Sequence, residues 1–243
     1  MQKQIHASGV LPTRNVALLM ELTEQLKNRT PGLPGMGTFY GPTGYGKSKA
    51  IVFCAISHQA YYIQVKGLWN CKYLLEQILS QMNIQPARTM SPMLEQIGQQ
   101  LALSGRPLII DEADLLFRKG MIEVTRDIYE SSQGVVILVG EETLPGQLER
   151  IERIHGRMLD WVAAQPTDLD DARLFSGYHC PDLDIKDDLL ARLIDATHGS
   201  ARYICTNLAR VKEFALVHGL SAISSADYTG GLFTGTPPER RRV

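Results

Sequence analysis

Residues 41–48 read Gly-Pro-Thr-Gly-Tyr-Gly-Lys-Ser and fit the spacing G-x-x-x-x-G-K-[ST]. That spacing has a mechanical reason. Gly41, Gly44 and Gly46 let the backbone curl so that its N–H groups point inward at phosphate oxygens. Lys47 brings a point charge to the β- and γ-phosphates, and Ser48 offers a hydroxyl to Mg²⁺. Pro42, Thr43, Tyr45 and Lys49 complete the stretch around the anion, and a helix after it presents its positive N-terminus. ATP with Mg²⁺ is the ligand this chemistry suits. A second group stands at Leu108-Ile109-Ile110-Asp111-Glu112, where an apolar run ends in two carboxylates. Such a pair at the C-terminal edge of a buried strand lies where open α/β sheets bind ligands. Asp111 is then placed to hold Mg²⁺, usually through water, and Glu112 to orient or deprotonate the attacking water. The plainer alternatives are a Gly-rich turn for the first group and a solvated acidic turn for the second.

Strand, loop, helix is the order the phosphate loop requires, and the neighbouring residues supply it. Thr38-Phe39-Tyr40 is strand-like, and Lys49 to Gln59 has the apolar residues of a half-buried helix. Further strands are read at Ala60 to Val65, Pro107 to Asp111, Gly134 to Val139 and Leu159 to Ala164. Helices fall between them at Tyr73 to Met82, Met93 to Leu103, Ile122 to Ser131 and Leu144 to Ile154. Apolar strands alternating with helices imply an α/β fold, a parallel five-stranded sheet covered on both faces. Residues 1–36 read as a leader with one helix, Val16 to Leu26, and 37–166 as the core. Residues 167–230 read as a small all-helical domain that opens on the acidic helix start Asp168-Leu169-Asp170-Asp171. Residues 231–243 read as a disordered basic tail ending in Arg240-Arg241-Arg242, which could add phosphate affinity or bind a partner.

Composition bounds what these elements can do. With 44% hydrophobic and 21% charged residues the chain is of the soluble globular class, and its formal net charge of −1 leaves no global basic signature. Contact with nucleic acid must therefore come from a local patch. Cys54, Cys71, Cys180 and Cys205 are scattered without metal-site spacing and read as reduced thiols. There is no apolar signal core at the N-terminus and no run of membrane-spanning length. We expect a cytoplasmic protein of a bacterial host cell, with no membrane association.

Taken together, the two motifs make residues 35–218 resemble the AAA+ ATPases. Gly41–Ser48 is similar to their Walker A motif and Leu108–Glu112 to their Walker B motif. The resemblance implies an ATPase with a P-loop core and a helical lid. Glu141, after the fourth strand, stands where the family carries a neutral polar "sensor 1" residue, a departure that leaves its role open. His198-Gly199-Ser200-Ala201-Arg202 resembles the start of the lid helix, which makes Arg202 the implied "sensor 2" contact to the γ-phosphate. The family completes its site with an arginine from a neighbouring subunit. Arg157, then Arg153, resembles that finger, with Arg150 also in range; a solvated arginine face is the alternative.

Leu138 to Leu144 and Gln165 to Asp171 resemble the transposition ATPases, the B protein of phage Mu and the TnsC/TniB group. This resemblance implies ATP-dependent binding to duplex DNA, a homo-oligomer in the form of a helical filament or ring, and a transposase partner. Residues 1–36 are too short for the Mu protein's extra N-terminal DNA-binding domain, so DNA contact falls to the core. Lys66 and Lys72 beside the turn after the second strand, and Arg118 and Lys119 past the acidic pair, are the candidates. Ordinary solubilising charge is the alternative for all four, and core packing is the alternative for Trp69 and Tyr73 among them. A clamp or helicase loader or an origin-binding ATPase shares every motif above. A secretion ATPase should add a membrane segment, and a small-molecule kinase should lack the Arg202 helix.

Overall fold

The computed structural model describes residues 10–236; the Lys119 side chain and the triple arginine at 240–242 lie outside the described residues. The chain divides into two compact units. One takes the residues up to Pro42 together with Lys47–Ala164, and the other takes Thr43–Gly46 together with the residues from Gln165 onward.

The first unit runs α1 (Arg14–Lys27), β1 (Met36–Tyr40), α2 (Lys47–His58), β2 (Tyr61–Gln64), α3 (Cys71–Gln81), α4 (Met90–Ser104), β3 (Leu108–Asp111), a 3₁₀ segment (Ala113–Gly120), α5 (Met121–Ser132), β4 (Val136–Gly140), α6 (Leu144–Glu149), α7 (Glu152–His155) and β5 (Met158–Ala163). Its five strands form one sheet in the order β2-β3-β4-β1-β5, every pair parallel. The expected α/β fold with a five-stranded parallel sheet flanked by helices is what forms. β3 and β4 are buried along their whole length, because helices cover both faces and no position can turn to water. In the edge strand β5 only Met158 is buried. In α1 the buried residues Val16, Leu19, Leu22 and Leu26 lie on one stripe, which packs against α2.

One parallel sheet sends every strand's following loop to the same edge. The phosphate loop after β1, the turn after β2, the acidic turn after β3 and Glu141 after β4 therefore share the C-terminal edge. Arg157, which precedes β5, falls at the opposite edge.

The single helix expected from Leu144 to Ile154 is interrupted. Ile151 leaves helical dihedrals, with φ −110° and ψ 84°. In a continuous helix at about 100° per residue, Ile154 points roughly 120° away from Leu148. The break lets both side chains be fully buried. Arg150, Arg153 and Arg157 accordingly do not share one helix face.

The second unit holds α8 (Leu169–His179), β6 (Asp184–Ile185), α9 (Asp187–Ala196), α10 (Ala201–His218) and β7 (Ala222–Ile223). The Asp168 side chain caps α8 by accepting from the Asp171 N–H at 2.9 Å, and Asp170 and Asp171 add negative charge to the first turn. Helices dominate the unit. A two-residue parallel ladder between β6 and β7 is added to them, too short to leave a periodic signal. Asn207, fully buried on α10, holds the chain at Phe233 by donating to its carbonyl and accepting from its amide, at 2.9 and 2.7 Å.

Candidate nucleotide site

The phosphate loop leaves β1 at Tyr40. Gly44 and Gly46 take φ of +93° and +85°, where a side chain is strained, so the loop's curl depends on glycine there. Lys47, the first residue of α2, folds back over the loop. Its Nζ donates to the carbonyls of Gly41 and Pro42, at 2.6 and 2.9 Å. Burial lowers the Lys47 pKa, and the carboxylates of Asp111, Glu112, Glu141 and Asp114 oppose that by favouring its charge. The ammonium is thus braced by the loop and faces four acids.

Asp111 ends β3 and is 3% exposed. One of its oxygens accepts the Glu112 N–H at 2.9 Å, the other the Tyr62 hydroxyl at 3.3 Å, and the Ser48 hydroxyl also bonds the carboxylate. Glu112 sits in the left-handed region, φ 56° and ψ 40°, although it is not glycine. Such a conformation costs on the order of 1–3 kcal/mol and is kept where the surroundings impose it. It turns the chain sharply from strand to 3₁₀ segment. Burial first, then the Asp111, Asp114 and Glu141 carboxylates, raises the Glu112 pKa, which makes its carboxylate a better proton acceptor.

The donors fit Mg²⁺. Asp111 and Ser48 are hard oxygen ligands already in contact, and the acids around them leave negative charge for a divalent ion to offset. Among the described residues no cluster of three or more potential ligands gathers as a cage. Asp111 and Ser48 are thus the residues that would hold Mg²⁺.

In the second unit the loop tip meets the start of α10. The Arg202 N–H donates to the Gly44 carbonyl at 3.2 Å, and the Tyr45 hydroxyl to the His198 carbonyl at 3.1 Å. A Cβ on Gly44 would lie 2.5 Å from Ser200 Oγ. The Arg202 side chain itself is exposed.

Residues 29–148 match the family model described as AAA domain. Over that stretch the chain is similar to an AAA domain. The match takes in both the phosphate loop and the acidic turn. Solved structures agree on the fold. The ORC2 protein of Aeropyrum pernix has a TM-score of 0.63 at 17% identity, over 87% of this chain and 64% of that one. Drosophila ORC, solved bound to DNA, has a TM-score of 0.60 at 16% identity, over 91% of this chain and 61% of that one. The Thermotoga maritima RuvB Holliday junction branch migration motor has a TM-score of 0.55 at 19% identity, over 87% and 65%. At such identities the likeness is one of fold, and the chain spans less than two-thirds of the length of each of these proteins. No curated protein matches the sequence.

The structure also places the more distant candidates. The Glu141 side chain is exposed, and it is the residue's amide that is engaged, donating to Asp114 Oδ2 at 2.7 Å. Arg157 Nε donates to Glu130 Oε1 at 2.5 Å, within the same subunit. Arg153 and Arg150 are exposed. Lys66 and Arg118 are exposed, and Arg118 Nη1 lies 3.5 Å from where a Cβ on Gly67, the residue after Lys66, would stand. Lys72 is diverted to Glu76, 3.8 Å away on the next turn of α3. Trp69 packs against the core and meets Tyr73 in a T-shaped pair, whereas Leu68 at the tip of the same turn is 93% exposed. Sequence reasoning passed over Tyr62, Asp114 and Leu68. For Tyr62 a signal exists in the strand alternation, since it shares a face of β2 with Gln64, which pairs with Asp111. No described helix is long and apolar enough to cross a membrane.

Proposed function

We propose that the protein is an ATPase whose ATP-bound form assembles head to tail on duplex DNA. The observation that carries this is the shared sheet edge. The Lys47 loop, the Asp111–Glu112 turn and the exposed Lys66–Leu68 turn beside Arg118 all emerge there. In hydrolysis Glu112 accepts a proton from the attacking water as its oxygen bonds to the γ-phosphorus. The bond from that phosphorus to the β–γ bridging oxygen breaks, leaving ADP and inorganic phosphate. Lys47 and the loop amides stabilise the charge on the phosphate oxygens. Ser48 and Asp111 would hold Mg²⁺, which would supply further neutralisation of the phosphate charge. Arg202, whose backbone is tied to the loop tip, is proposed as the contact that reads the γ-phosphate.

The finger arginine acts in trans in this reading, which suits residues at the sheet edge away from the loop. Arg157 is held by Glu130, but both side chains are 41% exposed, and such a pair is weak enough to exchange for a neighbour's phosphate. Arg153 is the second candidate. Arg157→Ala or Arg153→Ala keeps ATP affinity and lowers turnover by about a thousandfold or more, the range for a finger arginine. Mixing that variant with Lys47→Ala protein restores part of the activity in a phosphate-release assay, each subunit supplying what its neighbour lacks. Normal turnover in both arginine variants defeats the interface.

With a formal net charge of −1, one subunit offers few phosphate contacts, so repetition along DNA must supply affinity. Recruitment of a transposase is the finer reading, supported by the resemblance of 138–144 and 165–171 to the transposition ATPases. A replication role, as loader or origin-binding ATPase, is the second reading, favoured by the fold likeness to two ORC proteins. ATP hydrolysis measured with and without random-sequence duplex separates them. Strong stimulation by any duplex supports the transposition reading. Stimulation restricted to one sequence moves the assignment to origin binding, and phosphate found on a metabolite overturns both.

A further inference from the structure

The peptide group joining Gly140 to Glu141 is bonded on both sides. Its carbonyl accepts the N–H of Gly41, the first residue of the phosphate loop, at 3.3 Å. Its N–H donates to Asp114 Oδ2, two residues past Glu112, at 2.7 Å. The trans peptide is planar, so its C=O and N–H point in opposite directions from one rigid unit. Pairing between β3 and β4 stops at Ile110↔Leu138, so beyond that point the acidic turn is not held to β4 by the ladder. The Asp114 carboxylate continues the connection where backbone pairing ends.

Two further facts show that the approach is built. A Cβ on Gly140 would lie 2.2 Å from Asp114 Oδ2 and 3.1 Å from its Cγ, so glycine is what lets the carboxylate reach the amide. The other oxygen, Oδ1, is buried with no hydrogen-bond partner among the described residues. An unpaired buried carboxylate oxygen is costly, and the position keeps it.

We propose that Asp114 is a positioning residue for hydrolysis: through the 140–141 peptide it fixes the Glu112 turn at a set distance from the phosphate loop. Asp114 touches neither water nor phosphate in this role; it keeps Glu112 where a water in line with the γ-phosphate can reach it. This rests on the ATPase reading above.

The test uses Asp114→Ala, Asp114→Asn and Gly140→Ala in the full chain. A displacement of about 1 Å at a reacting group costs on the order of a hundredfold, so Asp114→Ala lowers kcat by about ten- to a hundredfold. KM for ATP, and affinity for a fluorescent ATP analogue, stay within about twofold, since binding precedes the step affected. The Asn side-chain oxygen can accept the same N–H, so Asp114→Asn recovers most of the rate. Gly140→Ala keeps the carboxylate but pushes it away, the new Cβ also standing 2.9 Å from Leu144 Cδ2, and reproduces the loss of kcat even where Asp114→Ala fails to fold. A merely structural role lowers nucleotide affinity and Tm with kcat and is not rescued by Asn; that result overturns the proposal. Wild-type kcat in Gly140→Ala or Asp114→Ala overturns it while leaving the ATPase reading intact. Wild-type protein without ATP turnover overturns both.

Discussion

Glu112→Gln is expected to slow ATP hydrolysis by at least about a hundredfold, the scale of a lost general base, while ATP affinity stays unchanged. Glutamine has the size and polarity of glutamate and can occupy the same left-handed turn, so the backbone at φ 56° need not move. What it lacks is a carboxylate to take the water's proton. Burial and three neighbouring acids favour proton uptake by Glu112, so its loss removes a base already shifted toward its task. The Asp111 carboxylate, its bond from Tyr62 and the Lys47 loop are left in place, which is why binding survives. Single-turnover phosphate release set beside equilibrium nucleotide binding checks both halves. A variant that hydrolyses at the normal rate removes Glu112 from the mechanism.

Lys47→Ala is expected to abolish measurable nucleotide binding. Lys47 both braces the loop, through the Gly41 and Pro42 carbonyls, and faces the acids at 111, 112, 114 and 141. Without it a triphosphate approaches a site of unrelieved negative charge. A charge-assisted hydrogen bond contributes about 1.5–3 kcal/mol. Losing one such contact to phosphate, together with the loop's brace, weakens affinity by about a hundredfold or more, since about 2.7 kcal/mol suffices. Lys47→Arg does not rescue it, because a planar guanidinium cannot place a compact charge in a loop shaped around an ammonium. Isothermal titration with ATP and Mg²⁺ measures this, with thermal melting to show that the variant folds. Tight binding by Lys47→Ala contradicts the site.

What was legible in the chain was local. Gly41–Ser48 states a backbone shape in eight residues, and Leu108–Glu112 states a buried strand and its acidic end in five. Both can be read because each residue's role depends on near neighbours. The sheet was legible for a related reason: strands buried on both faces leave unbroken apolar runs, as in β3 and β4. The contacts that align the site join residues far apart in sequence. Tyr62 reaches Asp111 across two strands, Asp114 reaches the amide of Glu141, and Arg157 reaches Glu130. None of these pairings leaves a periodicity. The bend at Ile151 was hidden because apolar spacing at 144, 148 and 151 continues a helical pattern through it. The exposure of Leu68 was hidden because, in sequence, a leucine beside a tryptophan reads as core.

We propose that ATP turns this chain into a DNA-binding oligomer. Fluorescence anisotropy of a labelled random-sequence duplex, titrated with the protein in ATP–Mg²⁺, in ADP and without nucleotide, tests it most directly. We predict tight, cooperative binding with ATP, longer-lived with Glu112→Gln, and weak binding in the other two conditions. It should weaken steeply as salt rises and counterion release is lost as a driving force. Lys66→Ala combined with Arg118→Ala should reduce it across all sequences alike. Binding equally strong without nucleotide, or none with ATP, contradicts the account.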